Sequence, residues 1–301
     1  MEKINFKSGF VTIIGRPNVG KSTLLNTLLG SKISIISPIP QTTRHQIKGI
    51  LNLKNTQLVF VDTPGLHSFK DKLALHLNTI AKRALDGCDL IIYVVDITRK
   101  LGPEEEKLMD ILLNQKSKII MVLNKIDLGD KFIGDYVNFW ENKKTKKDLL
   151  LYYLPVSAKT GKNVDKLKEV LIDNLPESCP YCDKDSLTDF PLKFRIADIV
   201  REKLFLTLKE ELPYSLAVEV SEIEDKKKVV YIKVNIYVQR DSQKKIVIGR
   251  KGTLLKEVGQ AARLDIEKIL NKKSFLDIWV KVLADWQKSP RVLQELGYWW
   301  A

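Results

Sequence analysis

Short runs of apolar residues alternate with segments of helical periodicity along the first half of the 301-residue chain. A run that is apolar at every position is typical of a strand buried on both faces, whereas apolar residues three or four apart indicate a helix. Strands are predicted at residues 10–14, 45–53, 57–62, 89–95, 118–123 and 151–156. Because helical segments separate most of these strands, we predict an α/β fold with a mostly parallel sheet and helices on both faces.

The pattern changes after residue 175. Residues 176–190 are polar, contain two prolines and lack periodicity, which is typical of a linker. The order beyond them is α-β-β-α-α-β, with a helix at 193–208, strands at 215–220 and 229–238 around a charged turn at 222–228, a helix at 253–270 and a strand at 275–280. We therefore predict a first domain at 1–175, a linker at 176–190 and an α+β domain at 191–301.

A candidate phosphate-binding loop, Gly15-Arg-Pro-Asn-Val-Gly-Lys-Ser22, follows the first predicted strand and precedes leucines at helical spacing. It fits the pattern GxxxxGK[ST], in which glycines let consecutive backbone N–H groups point at a phosphate. Lys21 would reach the β- and γ-phosphates, and the Ser22 hydroxyl would bind Mg²⁺. The alternative is a glycine-rich turn that contains Lys-Ser by chance, but a place between strand and helix favours phosphate binding.

Two further segments are typical of a nucleotide switch. Residues 31–40 are polar and interrupted by prolines, which predicts a mobile surface segment that leads into Gln41-Thr-Thr-Arg-His45. The strand at 57–62 ends in Asp62-Thr-Pro-Gly65, where a carboxylate can hold Mg²⁺ through water and the Gly65 N–H can meet a γ-phosphate. Alone this tetrapeptide is only a turn, but its place one strand pair after the phosphate loop favours the switch.

A guanine-selective loop is predicted at Asn124-Lys-Ile-Asp127, directly after the strand at 118–123. Only guanine offers adjacent N1–H and amino donors to a fixed carboxylate, so Asp127 would select GTP over ATP. Lys125 would lie over the base, and Asn124 would tie this loop to the phosphate loop. Ser157-Ala-Lys159 follows the last strand, and its Ala158 N–H would bind the guanine O6.

Residues 10–175 resemble the translation-factor class of GTPases through the segments GRPNVGKS, QTTRH, DTPG, NKID and SAK. The resemblance implies GTP hydrolysis and binding of GTP or GDP with Mg²⁺. The nucleotide-binding residues that it implies are Gly15, Arg16, Pro17, Asn18, Val19, Gly20, Lys21, Ser22, Thr23, Asp62, Thr63, Pro64, Gly65, Leu66, Asn124, Lys125, Ile126, Asp127, Ser157, Ala158 and Lys159. The metal would be held by Ser22, Thr43 and Asp62, where Thr43 is chosen over Thr42 because it precedes Arg44, as in related segments.

The position after DTPG departs from the Ras pattern, because it holds Leu66 where Ras has a glutamine that orients the attacking water. Slow hydrolysis is therefore expected. Many GTPases with a hydrophobic residue here have an asparagine like Asn18 that helps to hold K⁺ near the phosphates, partly in place of an arginine finger. The residues assigned to catalysis are Lys21, Thr43, Gly65 and Asn18.

The net charge of +13 is concentrated near the C-terminus, since residues 226–291 hold 17 Lys and Arg against 6 Asp and Glu. A solvated basic surface is one interpretation and a polyanionic partner is the other. Within this region Gly249-Arg-Lys-Gly252 lies between two apolar helices. A helix–helix turn is the simple alternative, but the segment resembles the GxxG loop of a type II KH domain, which clamps single-stranded RNA beside a groove for the bases. The RNA-binding residues would be Ile248, Gly249, Arg250, Lys251 and Gly252.

Membrane-spanning runs, a signal peptide and the cysteines are the remaining features to consider. No apolar run approaches the roughly 20 residues that cross a bilayer, and residues 1–6 lack a signal-peptide core, which predicts a cytoplasmic protein. Cys179 and Cys182 have C-x-x-C spacing, but a four-ligand zinc site needs a second pair and only Cys88 remains. We expect structural or incidental thiols, with redox activity or partial metal ligation as the alternative.

A GTPase domain followed by one KH domain resembles the bacterial Era family over essentially the full chain. The resemblance implies a monomeric, slowly hydrolysing GTPase switch that binds the 3′ end of 16S rRNA during assembly of the small ribosomal subunit. A metabolic P-loop kinase is a competing class, but it would need no guanine selector such as residues 124–127. A membrane-surface GTPase is a third class, because the basic region permits weak peripheral association with the inner face of the cell membrane, although no amphipathic anchor supports it.

Overall fold

The computed structural model describes residues 6–40, 42–65, 72–144 and 149–298. The chain divides into two compact units, one formed by Met1–Ser34 with Thr43–Asp189 and the other by Ile35–Thr42 with Phe190–Ala301. The second unit therefore contains a short segment from the N-terminal part of the chain, which the sequence pattern did not predict.

The first unit alternates strands and helices. Its elements are β1 (Lys7–Ile14), α1 (Lys21–Leu29), β2 (Ile47–Leu53), β3 (Thr56–Asp62), α2 (Lys72–Arg83), β4 (Leu90–Asp96), α3 (Pro103–Leu113), β5 (Lys118–Asn124), α4 (Ile133–Lys143), β6 (Leu150–Val156) and α5 (Val164–Asn174). The strands form one sheet in the order β2-β3-β1-β4-β5-β6, in which only the pair β2 and β3 is antiparallel. The predicted α/β class and strand positions are confirmed.

Helices cover both faces of this sheet, as the apolar runs predict. Alternate residues of β4 point to opposite sides: Ile92 and Val94 pack in a cluster with α1 and α5, and Ile91 and Tyr93 pack in another with α3 and α4. A strand with an apolar layer on each side can carry no polar face, which explains why β4 is apolar from its first residue to Val95.

The predicted linker packs against the first unit. The Gln57 side chain donates to the Cys182 carbonyl at 2.8 Å and accepts from the N–H groups of Tyr181 and Cys182 at 2.7 and 2.9 Å. The Ile50 N–H donates to the Leu187 carbonyl at 2.9 Å. Composition thus indicated the loop but not its attachment to the sheet. Cys179 and Cys182 are free thiols, and the described residues contain no group of three or more His, Cys, Asp or Glu side chains that could hold a metal ion.

The second unit is a layer of helices on one face of a sheet. Its elements are α6 (Leu192–Thr207), α7 (Leu212–Ser215), β7 (Ala217–Asp225), β8 (Val230–Val238), α8 (Asp241–Ile248), α9 (Thr253–Leu270), β9 (Ser274–Val282) and α10 (Pro290–Glu295). The sheet order is β7-β8-β9, antiparallel between β7 and β8 and parallel between β8 and β9. Apolar residues of α6 and α9 pack on the sheet in one core, and the predicted α+β order is confirmed.

Two local predictions are wrong. The charged turn predicted at 222–228 is shorter, because β7 continues to Asp225 and places Glu222 opposite Lys233, a favourable cross-strand pair of charges. Residues 31–40 form no helix or strand, as expected, but Ile33, Ser34 and Ile35 are buried and do not lie on the surface. Among the described helices, none has the length and apolar character needed to cross a membrane.

Candidate nucleotide site and nucleic-acid interface

The phosphate loop connects the end of β1 with the start of α1, as its motif predicts. A Cβ atom on Gly15 would lie 2.3 Å from the Val94 carbonyl oxygen, and one on Gly20 would lie 2.3 Å from Asn124 Nδ2. Gly20 also has a φ of 102°, in the left-handed region that favours glycine. Both positions therefore require glycine if the loop is to pack against its neighbours.

Lys21 is the buried cation of the loop. Its Nζ donates to the carbonyl oxygens of Gly15 and Arg16 at 3.0 and 2.8 Å. Burial lowers the pKa of Lys21 to about 8, although the nearby carboxylates Asp62 and Glu105 oppose this shift. An ammonium group that is desolvated in this way is stabilised by added negative charge, so the phosphates of a nucleotide suit this position.

Arg16 attaches the loop to α3. Its Nε lies 3.4 Å from Glu104 Oε2 and its Nη1 lies 3.5 Å from Glu105 Oε2. Glu105 is buried and also accepts a hydrogen bond from the Tyr93 hydroxyl, and burial raises the pKa of this carboxyl group. The Arg16 side chain is thus engaged with α3 in this structure, and its predicted contribution to nucleotide binding remains a prediction.

Three oxygen-bearing side chains meet where the metal site is predicted. Ser22 Oγ donates to Asp62 Oδ2 at 2.8 Å and lies 2.9 Å from Thr43 Oγ1. Ser34, which the sequence did not indicate, donates its hydroxyl to the same Asp62 oxygen at 2.9 Å. Burial raises the pKa of Asp62, although the charge on Lys21 opposes the shift.

The residues of this cluster fit Mg²⁺. Asp62 is fully buried, and its Oδ1 has no hydrogen-bond partner among the described residues. A hard divalent cation prefers such carboxylate and hydroxyl oxygens. The Thr42 hydroxyl instead donates to the Ile39 carbonyl at 2.5 Å, and Thr43 as the metal ligand stays a prediction.

The second switch segment begins directly on the phosphate loop. A Cβ atom on Gly65 would lie 2.7 Å from the Pro17 nitrogen and 3.0 Å from Lys21 Nζ. The Thr63 hydroxyl donates to the Ile13 carbonyl at 2.9 Å and fixes the start of the segment on β1. Gly65 thus lies against the phosphate loop beside Lys21, and the contact of its N–H with a γ-phosphate stays a prediction. Leu66, which is predicted to contact the nucleotide, lies outside the described residues.

Asn124 joins the guanine loops to the phosphate loop. Its Nδ2 donates to the Val19 carbonyl at 2.7 Å, and its Oδ1 accepts from the Ala158 N–H at 2.9 Å. The first bond is the tie that the sequence predicts. The second engages the buried Ala158 N–H, so the bond of this N–H to guanine O6 remains a prediction.

Lys125 and Asp127 flank the expected place of the base. Lys125 Nζ donates to the Asn18 carbonyl at 2.9 Å and to Asp96 Oδ2 at 2.6 Å. Burial acts to raise the pKa of Asp96, but hydrogen bonds from Lys125 and Thr98 outweigh it and lower that pKa. Asp96 was not predicted from the sequence, although it follows a buried strand in the same way as Asp62 and Asn124 do.

Asp127 combines a fixed position with exposure. Its Oδ1 accepts a hydrogen bond from the Ser157 hydroxyl at 2.6 Å, while Ser157 itself is buried. Asp127 is exposed, whereas its neighbour Ile126 is half-buried. Lys159, two residues after Ser157, is exposed as well. The Asp127 carboxylate can therefore accept hydrogen bonds from a base without rearrangement.

The GxxG loop lies between α8 and α9 in the second unit. Gly249 has a φ of 76°, and a Cβ atom there would lie 2.7 Å from Leu254 Cβ. Gly252 also has a φ of 76° and begins α9, but a Cβ atom on it would meet nothing within 4 Å. Arg250 and Lys251 are exposed. The loop thus presents cationic side chains and one glycine with open space above it, as a phosphate clamp requires.

A groove follows the loop between α9 and β9. Its lining includes Leu255, Gly259, Arg263, Phe275 and Ile278. Gly259 keeps the groove open because it has no side chain. A Cβ atom added there would lie 3.1 Å from the Ile278 side chain. These residues were not predicted from the sequence, although a glycine inside a long helix was a usable signal. The groove offers apolar and aromatic surface for bases beside the cationic loop.

Comparisons with known proteins agree with this geometry. Residues 10–125 match the family described as 50S ribosome-binding GTPase, and residues 211–287 match the KH domain. The GTPase Era of Geobacter metallireducens is 43% identical, with 97% of this chain and 98% of the relative covered. The GTPase Era of Caldanaerobacter subterraneus subsp. tengcongensis is 42% identical over the same shares.

Two solved structures resemble the whole chain. One is Era in complex with MgGDPNP and nucleotides 1506–1542 of 16S ribosomal RNA, with a TM-score of 0.90 and 39% identity. The other is a variant of Era from Aquifex aeolicus bound to GDP and AlF4⁻, with a TM-score of 0.91 and 39% identity. Each comparison covers 97% of this chain and 99% of the other.

Proposed function

The chain belongs to the Era family of GTPases, and from this we propose that it is a GTP-hydrolysing switch that binds the single-stranded 3′ end of 16S rRNA in small-subunit assembly. The strongest support is one arrangement, in which Asn124 joins the phosphate loop to the guanine loops and leaves the Asp127 carboxylate exposed. A kinase has no need of that carboxylate. The GTPase activity also follows from the family.

Separate residues of the first unit would bind the phosphates, the guanine base and the metal ion. Lys21 and the Gly65 N–H would bind the γ-phosphate, and Asp127 would hold the guanine. Ser22, Thr43 and Asp62 would hold Mg²⁺, which neutralises phosphate charge when bound. Leu66 offers no hydrogen bond to a water, so hydrolysis is expected to be slow.

Thr43→Ala is expected to weaken binding of a non-hydrolysable GTP analogue by about tenfold while GDP affinity stays within about twofold of wild type. We expect the Thr43 hydroxyl to bind the Mg²⁺ itself only when a γ-phosphate is present, because the first switch segment is held at the metal by that phosphate. Calorimetric titration with each nucleotide in Mg²⁺ buffer measures the difference. Thr42→Ala is the control, because its hydroxyl contacts the Ile39 carbonyl instead. Equal losses for both nucleotides would exclude Thr43 from the metal site.

We further propose that Asn18 helps to hold K⁺ beside the phosphates. Asn18 has a φ of 63°, and its carbonyl accepts from Lys125, so its backbone is fixed at the edge of the phosphate loop. Replacing K⁺ by Na⁺ is expected to slow steady-state hydrolysis by about tenfold or more. Asn18→Gly, which tolerates the same φ, should be slow in both ions. Equal wild-type rates in K⁺ and Na⁺ would remove Asn18 from catalysis.

The second unit supports the RNA-binding part of the proposal. The Gly249–Gly252 loop and the groove beside it form a cationic clamp next to an aromatic surface, as single-stranded RNA requires. We propose domain limits of 1–175 and 191–301, a monomer in the cytoplasm, and weak peripheral contact with the inner membrane face through the same basic charge.

Crosslinking in living cells followed by sequencing of the bound RNA tests the partner. We expect crosslinks to concentrate at the 3′ end of 16S rRNA for wild type and to be lost for Gly252→Asp. Crosslinks spread over messenger or transfer RNAs would contradict the assignment to the small subunit.

A further inference from the structure

Residues Ile35–Thr42 connect Ser34 and Thr43, two of the three hydroxyl-bearing residues at the metal cluster. Ser34 donates to Asp62, and Thr43 lies 2.9 Å from Ser22 Oγ. The chain leaves the first unit after Ser34 and returns to it at Thr43, and the eight residues between belong to the second unit. Contacts that fix Thr42, the last of these eight residues, therefore also restrict the backbone of Thr43, which follows it directly.

Arg201 of α6 holds the end of this segment. Its Nη2 donates to the Thr42 carbonyl at 3.0 Å and lies 2.8 Å from Asp198 Oδ1, and its Nη1 donates to the Tyr298 hydroxyl at 2.8 Å. Arg201 is fully buried. Burial acts to lower its pKa, but Asp198 and Tyr298 outweigh this and raise it, so the guanidinium stays charged. A buried charge with several partners has one favourable position, which fixes the Thr42 carbonyl.

Two more attachments hold the rest of the segment. Glu202, the next residue of α6, accepts a hydrogen bond from the Ile36 N–H at 3.0 Å. The Ile39 side chain packs against the apolar core of the second unit. Lys203 in turn lies 2.6 Å from Asp265 and so joins α6 to α9. The segment is thus held near its start and at its end by α6, and at Ile39 by the apolar core of the second unit.

We propose that Arg201 is a positioning residue for the GTPase site. By holding the Thr42 carbonyl it restricts the backbone that leads into Thr43, so that the segment is ordered before the γ-phosphate and Mg²⁺ arrive. The ordering cost is then removed from GTP binding, and affinity for GTP rises. GDP gains nothing, because it makes no contact with Thr43. This inference rests on the proposed function, in which Thr43 contacts the metal only in the GTP state.

The test compares two ways of releasing the segment in the full chain. Asp198→Asn with Arg201→Met removes the guanidinium without leaving its carboxylate partner charged, and Ile39→Ser removes the apolar anchor from the segment side. Ile36→Ser is the matched control, because the Ile36 side chain is 39% exposed and its N–H bond to Glu202 is kept. Titration calorimetry measures affinity for a GTP analogue and for GDP with Mg²⁺, and circular dichroism checks the fold.

Both releasing variants should bind the GTP analogue about tenfold more weakly, within the usual range of coupling between sites, with GDP affinity changed by less than about twofold. In a Thr43→Ala background the same changes should have no further effect, because Arg201 acts through Thr43. If the Arg201 double variant fails to fold, Ile39→Ser alone decides the question.

Three outcomes would overturn the proposal. These are equal losses for GTP and GDP, an effect that persists in the Thr43→Ala background, and wild-type affinities in the releasing variants. If instead the wild-type protein binds ATP as well as GTP, or Thr43→Ala does not separate GTP from GDP, the proposed function itself fails. The two failures are therefore distinguishable.

Discussion

Asp127→Asn is expected to change the preferred base from guanine to xanthine. The carboxylate accepts hydrogen bonds from the two adjacent donors of guanine. In the amide, an NH₂ group replaces one of the two accepting oxygens, and this group can donate to the C2 carbonyl of xanthine. Affinity for GTP should fall by about 10³-fold or more, since a site built to pair a group strongly rejects a partner lacking it. Ser157 already fixes Asp127 through its hydroxyl, so the variant side chain should keep its place.

Competition binding with GTP, XTP and ATP measures this change. Asp130→Asn is the matched control, because it makes the same chemical change three residues further along the chain at another exposed aspartate. The control should keep the wild-type preference for GTP. If wild type binds ATP as tightly as GTP, or if the Asp130 variant also gains XTP, Asp127 is not the selector.

Gly252→Asp is expected to abolish most RNA binding, by on the order of 100-fold, while the fold and GTP hydrolysis persist. The new side chain would project where a Cβ meets nothing within 4 Å, so it would not clash inside the protein. It would place a carboxylate where RNA phosphates must approach. Asp adopts the left-handed region more readily than most residues, so the φ of 76° should not unfold the variant.

Fluorescence anisotropy with a labelled single strand measures RNA binding, and phosphate release measures hydrolysis. Gly87→Asp is a matched control in the first unit, since Gly87 is exposed, has a φ of 77° and also has open space around its Cβ. This control should bind RNA like wild type. Unchanged binding by Gly252→Asp would mean that the loop does not clamp RNA.

Strands and binding residues could be predicted from the sequence where they depend on residues that are close together in the chain. The buried strands were recognised because both faces of β4 and β5 are apolar, and Asp62 and Asp127 were recognised because each follows a strand at a motif position. Such features are local in the chain, and periodicity or spacing is enough to predict them.

Features that depend on contacts between distant residues could not be predicted in this way. Ser34 reaches Asp62 across 28 positions, and Arg201 reaches Thr42 across 159. The motifs likewise give no sign that the Asn124 side chain accepts a hydrogen bond from the Ala158 N–H, 34 positions away. The packing of the predicted linker on Gln57 is of the same kind, since polar composition indicates a loop but not what the loop contacts.

We propose that one chain joins a guanine-nucleotide site to a clamp for single-stranded RNA. The most direct test is a salt-titrated binding series of the chain, loaded with Mg²⁺ and a GTP analogue, on a single strand ending in the 16S rRNA 3′ sequence. A scrambled strand and a duplex serve as comparisons. We expect the 16S strand to bind most tightly at every salt concentration, and all affinities to fall as salt rises because phosphate contacts release counterions. Preference for the duplex, or equal binding of the 16S and scrambled strands, would contradict the account.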